Sequence, residues 1–267
     1  MIYRVLTIAG SDSGGGAGIQ QDLKTFQALG VWGMTAITAV TVQNTVGVSG
    51  FVELPPETVA EQITAVASDI GVDAAKTGML AGEPIIDAVA RAIREVEIDR
   101  LVVDPVFVSK HGDPLLNENA VDALRRWIVP LALVVTPNAH EAAGLAGMPV
   151  VKTHADQVSA GQAILALGAR AVLVKGGHVE GADAVDVLVT SEGIREFAGR
   201  RLDTPNTHGT GCMLSAAIAA GLAKGLALEV AVGDAKEFVT GAIEHSLAIG
   251  KGIGPVNPSW RLATGSG

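Results

Sequence analysis

The chain reads as an α/β protein, one domain over residues 1–267 with a mainly parallel sheet covered by helices on both faces. Three features carry that reading. Short β-branched runs alternate with amphipathic stretches from one end to the other, and such alternation builds parallel sheets through crossover helices. Apolar residues make up 48% of the 267 residues and charged ones 18%, which favours a large buried core over disorder. No linker, repeat or low-complexity tract divides the chain, and the tail from about residue 261 to 267 reads as frayed.

The elements follow in order. Val5 to Ala9 is a strand feeding a glycine loop, and Ala17 to Leu29 a helix that Gly30 ends. Val31 to Val40 is a second strand and Gly50 to Leu54 a short edge strand; Pro55-Pro56 then opens a helix to about Ile70. Asp73 to Thr77 is a strand, Glu83 to Val96 a helix, and Arg100 to Asp104 a buried strand that Pro105 stops. Asn117 to Trp127 is a helix and Leu133 to Thr136 a strand, again stopped by proline. Thr153-His154-Ala155-Asp156 resembles a capping box, with a helix running to Leu167. Ala171 to Lys175 is a strand, and Ala184 to Thr190 with Gly193 to Ala198 a hairpin. Two helices close the chain, from Thr210 to Lys224 and from Leu228 to Ile249.

Composition narrows the function. The formal net charge is −9 with no basic cluster to offset it. That argues against nucleic-acid binding but leaves room for a local phosphate site. A single cysteine rules out an internal disulfide framework and suits a reducing cytosol. Met1-Ile2-Tyr3-Arg4-Val5 lacks a signal-peptide pattern, and no apolar run reaches membrane-spanning length. The expectation is a cytoplasmic protein acting on a small molecule, with no nucleic-acid or membrane partner.

The known nucleotide signatures are missing. There is no G-x-x-x-x-G-K-[ST], and Ile19 stands where the third glycine of G-x-G-x-x-G would fall. Six scattered histidines and one cysteine give no zinc spacing. What the chain has instead is Asn206-Thr207-His208-Gly209-Thr210-Gly211-Cys212 opening onto a helix of small residues. Backbone N–H groups at such a turn, with the helix dipole behind them, hold anions and developing phosphoryl charge. The same field is expected to favour the Cys212 thiolate. The plainer reading is a helix start with a small buried cysteine.

A second glycine loop, Gly10 to Gly18, lies about two hundred residues upstream. Two phosphate-grade loops so far apart imply one site closed from both ends of the chain. Gly10, Lys76, Asp104, Thr136 and Lys175 each end or follow an apolar strand run, where parallel sheets bind ligands. Asp104, Asn138 and Glu141 together offer oxygen ligands, mostly through water, to a phosphate-bound Mg²⁺. Asp104 reads equally as a loop cap, and Asn138 with Glu141 as a helix cap. Lys175, beside Gly176-Gly177-His178, suits a nucleotide phosphate or a solvated hairpin. Gln43 offers an amide to a heteroaromatic ring. Asp22 reads equally as a solvated helix residue, and Met79 as core filler.

The ordered set is identified as resembling a family. Ala9-Gly10-Ser11-Asp12-Ser13-Gly14-Gly15-Gly16-Ala17-Gly18-Ile19-Gln20 with Asp22-Leu23-Lys24 is similar to the N-terminal signature of the hydroxymethylpyrimidine/phosphomethylpyrimidine kinases, of the ribokinase-like superfamily. Gln43-Asn44-Thr45, Lys76-Thr77-Gly78-Met79, Asp104-Pro105-Val106, Thr136-Pro137-Asn138, Lys175-Gly176-Gly177-His178 and His208-Gly209-Thr210-Gly211-Cys212 follow in the family's order, from about Arg4 to Gly254. The resemblance implies a three-layer α/β/α sandwich, a homodimer, and two ATP-dependent phosphorylations in thiamine biosynthesis. The first is on the hydroxymethyl group of 4-amino-5-hydroxymethyl-2-methylpyrimidine, the second on its monophosphate. It implies that Gly10, Asp22 and Gln43 bind the pyrimidine, with Met79 and Val106 on its faces. By the same resemblance Gly209, Thr210, Gly211 and Cys212 would form the anion hole, Lys175, Thr207 and Lys236 would serve ATP, and Asp104, Asn138 and Glu141 would serve Mg²⁺. The stretches 10–18 and 106–114 are candidate lids.

Most sugar kinases of the superfamily carry an aspartate base where this chain, like the pyrimidine kinases it resembles, has a cysteine, Cys212. A phosphate monoester is already anionic at neutral pH, with a second pKa of about 6, and a fixed carboxylate would repel it. Two alternatives stay open: a pyridoxal/pyridoxine kinase, and a catalytically idle pyrimidine-binding protein.

Overall fold

The computed structural model describes residues 2–107, 118–177, 179 and 183–263. The chain runs through β1 (Arg4–Ser11), α1 (Gly18–Ala28), β2 (Trp32–Gln43), β3 (Val48–Glu53), α2 (Pro56–Asp69), β4 (Ala74–Thr77) and α3 (Glu83–Glu95). It continues through β5 (Leu101–Val103), α4 (Glu118–Ala123), β6 (Val134–Val135), α5 (Ala139–Ala146), α6 (His154–Leu165) and β7 (Ala171–Val174). The remainder is β8 (Asp186–Thr190), β9 (Gly193–Phe197), α7 (Thr210–Ala223), α8 (Leu228–Glu244) and α9 (Trp260–Ala263).

The strands form one sheet in the order β3-β2-β1-β4-β5-β6-β7-β8-β9. From β2 through β7 neighbouring strands are parallel; β3 and the β8–β9 hairpin are antiparallel edges. Alternate strand residues feed two cores. Leu6, Ile8, Ala75, Val103 and Val174 pack with residues of α2, α3, α5 and α6. Val5, Ala74, Val102, Val134 and Leu173 pack with Phe26 of α1 and with α7 and α8. This is the expected three-layer α/β/α sandwich. Successive strands are laid down on one side of β1 and then on the other, so the order reverses between β1 and β4. Ligands bind at such a reversal, beyond the carboxyl ends of the strands.

Several boundaries differ from the sequence reading, each for a tertiary reason. β2 runs past Val40 to Gln43 because β3 pairs with it there, Thr41 opposite Phe51 and Val42 opposite Gly50. The helix expected to end at Trp127 is α-helical only to Ala123, then widens into a π turn (Leu124–Ile128) and a 3₁₀ turn (Val129–Leu131). Pro130 has no N–H with which to continue an α ladder; the expected first residue, Asn117, lies outside the described residues. The last long helix stops at Glu244, short of Ile249. The returning chain explains this: Asn257 donates its N–H to the Ala242 carbonyl at 3.0 Å. The expected capping box at Thr153 and Asp156 is present, each side chain accepting the other residue's N–H. Among the described residues no helix is long and apolar enough to cross a membrane.

Candidate active site

A cavity of about 940 Å³ opens beyond the carboxyl ends of β1, β4, β5, β6 and β7. Gly10, Lys76, Asp104, Asn138 and Lys175 line it, one from each strand end. Both glycine loops reach it as well.

Asp12 organises the first loop. Its carboxylate accepts the N–H groups of Gly14, Gly16 and Ala17 at 2.8, 3.0 and 2.8 Å. Burial works against its charge, but the hydrogen bonds from His208 and the loop hold its carboxyl below the usual range. The second loop enters α7 through Gly209, whose φ of 81° is left-handed. A Cβ there would run into the Gly16 carbonyl oxygen. The two loops therefore touch at a point where only glycine fits.

At the start of α7 the N–H groups of Gly211 and Cys212 precede the first intrahelical donor, which is Met213 bonded to Gly209. They are free to face an anion. Cys212 also lines the cavity. The expected thiolate is overturned. Burial pushes the thiol up to about 12; Lys76 opposes that rise, and Asp22 and Asp104 add to it. The thiol is neutral at physiological pH.

Opposite the turn, the Lys175 ammonium stands 3.0 Å from Asp104 and 3.8 Å from Glu141. Burial lowers its proton affinity, but the two carboxylates more than reverse that. Burial also raises the Glu141 carboxyl to about 7, with Asp104 adding to the shift and Lys175 opposing it. Ser215 of α7 donates to Asp104 at 3.3 Å. Asn138 and Glu141 form a complete capping box: Asn138 Oδ1 accepts the Glu141 N–H, and Glu141 Oε2 accepts the Asn138 N–H. Among the described residues no group of three His, Cys, Asp or Glu is arranged around a metal position; the cation between the carboxylates is Lys175.

Toward α8, Thr207 and Lys236 line the same cavity. Lys236 pairs with Asp186 at 2.8 Å, and Asp186 in turn accepts the Gly176 N–H at 2.7 Å. Arg201 holds the carbonyls of Gly177 and Val179 at 2.6 and 2.8 Å. His178 lies outside the described residues, as does the candidate lid from 108 to 114. At the other end stand Gly10, Gln43, Met79 and Val106. A Cβ on Gly10 would lie 3.2 Å from the Met79 sulfur, so glycine there keeps room beside that side chain.

Asp22 is the exception among the expected site residues. It is fully buried and does not line the cavity. In the sheet register Thr7 lies beside Lys76, and Asp22 of α1 covers both, accepting Thr7 Oγ1 at 2.6 Å and pairing with Lys76 Nζ at 3.2 Å. It is the counter-ion of Lys76, for which the sequence shows only a place at the polar end of an apolar strand run. The available signal was a lone lysine in an apolar strand, which burial obliges to find an anion. Asp12 and His208 belong to the two glycine-loop motifs, and the sequence alone gives neither a role.

Comparison with known proteins agrees with this geometry. A family model described as phosphomethylpyrimidine kinase matches residues 12–257. The hydroxymethylpyrimidine/phosphomethylpyrimidine kinase of Streptomyces coelicolor is 51% identical over 97% of this chain and 95% of its own. Among solved structures, a Bacillus subtilis pyridoxal kinase in complex with ADP superposes with a TM-score of 0.92 at 42% identity, covering 98% of this chain and 99% of that one. The phosphomethylpyrimidine kinase of Clostridium difficile superposes at 0.81 with 41% identity, covering 90% and 99%. With a whole-length match, a shared fold and a cavity walled by two glycine loops, the chain belongs to the phosphomethylpyrimidine kinase family and is a ribokinase-like phosphotransferase.

Proposed function

We propose that this cavity transfers the γ-phosphoryl group of ATP twice. The first transfer is to the hydroxymethyl group of 4-amino-5-hydroxymethyl-2-methylpyrimidine and the second to the resulting monophosphate, the pair of steps that supplies thiamine diphosphate synthesis. One observation carries the reading. The free N–H groups at Gly211 and Cys212, the buried Lys175 and the apolar end at Gly10, Gln43, Met79 and Val106 share a single cavity. Gln43 pairs with the pyrimidine edge, while Met79 and Val106 cover its faces. Gly209 to Cys212 hold the charge on the phosphoryl group in flight. Lys175 neutralises ATP phosphate oxygens, with Thr207 and Lys236 along the nucleotide. The ADP bound by the Bacillus subtilis relative supports ATP as the donor.

Mg²⁺, when bound, offsets phosphate charge. Asp104 and Glu141 fit it as buried oxygen donors acting through water, the chemistry this ion prefers. Asn138 orients Glu141, its own oxygen being committed to the cap.

A pyridoxal kinase activity is the second reading, favoured by the close superposition on the Bacillus subtilis enzyme of that name. The test is purified protein with ATP and Mg²⁺, given the pyrimidine alcohol or pyridoxine in parallel, products resolved by chromatography. Monophosphate followed by diphosphate of the pyrimidine is expected. Phosphate on pyridoxine alone moves the protein to the vitamin B6 kinases; transfer to neither leaves a binding protein.

A further inference from the structure

His208 precedes the anion-binding turn but belongs physically to three segments. Its N–H donates to the Gly254 carbonyl at 3.0 Å, and its carbonyl accepts the Val256 N–H at 3.1 Å. These bonds fix its backbone to the C-terminal segment. Its ring reaches the other way, where Nε2 meets Asp12 Oδ2 at 3.0 Å with both side chains buried. Gln43 Nε2 lies 3.5 Å from the same ring nitrogen. An ionised Asp12 only accepts, so the His208 Nε2 carries the proton and donates it. That Asp12 oxygen also accepts the N–H groups of Gly16 and Ala17. The contact is pressed close: a Cβ on Gly16 would collide with the His208 ring, as one on Gly209 would with the Gly16 carbonyl.

We propose that Asp12 and His208 are a positioning pair: their buried hydrogen bond sets the substrate loop 10–18 in register with the Gly209–Cys212 turn. The pyrimidine alcohol and the donors for the transferring phosphoryl group are thereby held at one fixed separation. Both residues reach the wall of the same cavity, and the role assigned to them is exerted through the two loops they join. This rests on the kinase reading above for its substrate, though not for its geometry. Misplacing reacting groups by about 1 Å costs on the order of 100-fold in rate, so the pair should govern kcat more than binding.

The experiment compares wild type, His208→Leu and His208→Gln, whose amide N–H stands in for Nε2. Deuterium uptake in ligand-free protein is followed in segments 10–18 and 206–214. His208→Leu is expected to exchange faster in both segments, and His208→Gln close to wild type. In turnover with ATP and the pyrimidine, His208→Leu is expected to lose about 100-fold in kcat with ATP affinity within about threefold, and His208→Gln to recover at least about tenfold. Unchanged uptake in 10–18, or a glutamine no better than leucine, overturns the pair. If His208→Leu fails to fold, His208→Asn, too short to span to Asp12, replaces it. A wild type that turns over neither substrate sinks the kinase reading, while the exchange data still decide the pair.

Discussion

At Glu141 burial lifts a carboxyl from its ordinary 4.5 to about 7. Between those values the folded chain binds more protons than the unfolded one. The stabilisation from this group is full below about pH 4.5 and is lost as pH rises through 7. Glu141→Gln keeps an oxygen for the Asn138 N–H but cannot ionise. Urea unfolding should therefore show wild type losing stability from about pH 4.5 to about pH 7, and the variant losing less. A parallel decline in both contradicts the buried-acid account. Lys76 offers the reverse case. Removing it as Lys76→Met strands Asp22 as an unpaired charge in the core, and should cost about 3–5 kcal/mol in the same assay. Adding Asp22→Asn should return part of that loss; if the double variant is as unstable as the two losses summed, the residues are not coupled. Asp22 also marks a limit of legibility. A sequence shows that an aspartate lies near a glycine loop, but the side of the helix it occupies is settled by the register of Thr7 beside Lys76.

Among the elements, the strands and their polar ends were readable because burial writes itself as β-branched runs, and proline or glycine marks where they stop. Helix ends were less readable where distant chain intervened, as Asn257 does at the end of α8. The thiol of Cys212 was misjudged for a related reason. A helix N-terminus is visible in sequence, whereas the desolvation that outweighs it comes from elements across the fold. The two glycine loops show how specific the close approaches are. Gly209→Ala combines a left-handed φ of 81° with a Cβ aimed at the Gly16 carbonyl. It should displace the turn and lower phosphoryl transfer by about 100-fold or more. Gly47→Ala, where an added Cβ meets nothing within 4 Å, should leave turnover within about twofold of wild type. Equal activity in the two variants would show that the loop contact is dispensable.

Across the whole molecule, the order of strands explains why residues from both ends of the chain share one cavity. The reversal between β1 and β4 puts Gly10 and Gly78 on the same sheet edge as the ends of β5, β6 and β7, and α7 brings its amino end to the same rim. If the cavity works as proposed, one anion hole serves an alcohol and then a phosphate because Cys212 is uncharged at rest. The thiolate, though a small fraction, can take an alcohol proton; a serine hydroxyl ionises far less readily still. A carboxylate would serve the alcohol but repel a phosphate. The direct test is the ratio of the two phosphorylation rates in Cys212→Ser and Cys212→Asp. The account predicts opposite shifts: serine slows the first transfer at least about tenfold more than the second, and aspartate slows the second at least about tenfold more than the first. Ratios that stay at the wild-type value in both variants would contradict it.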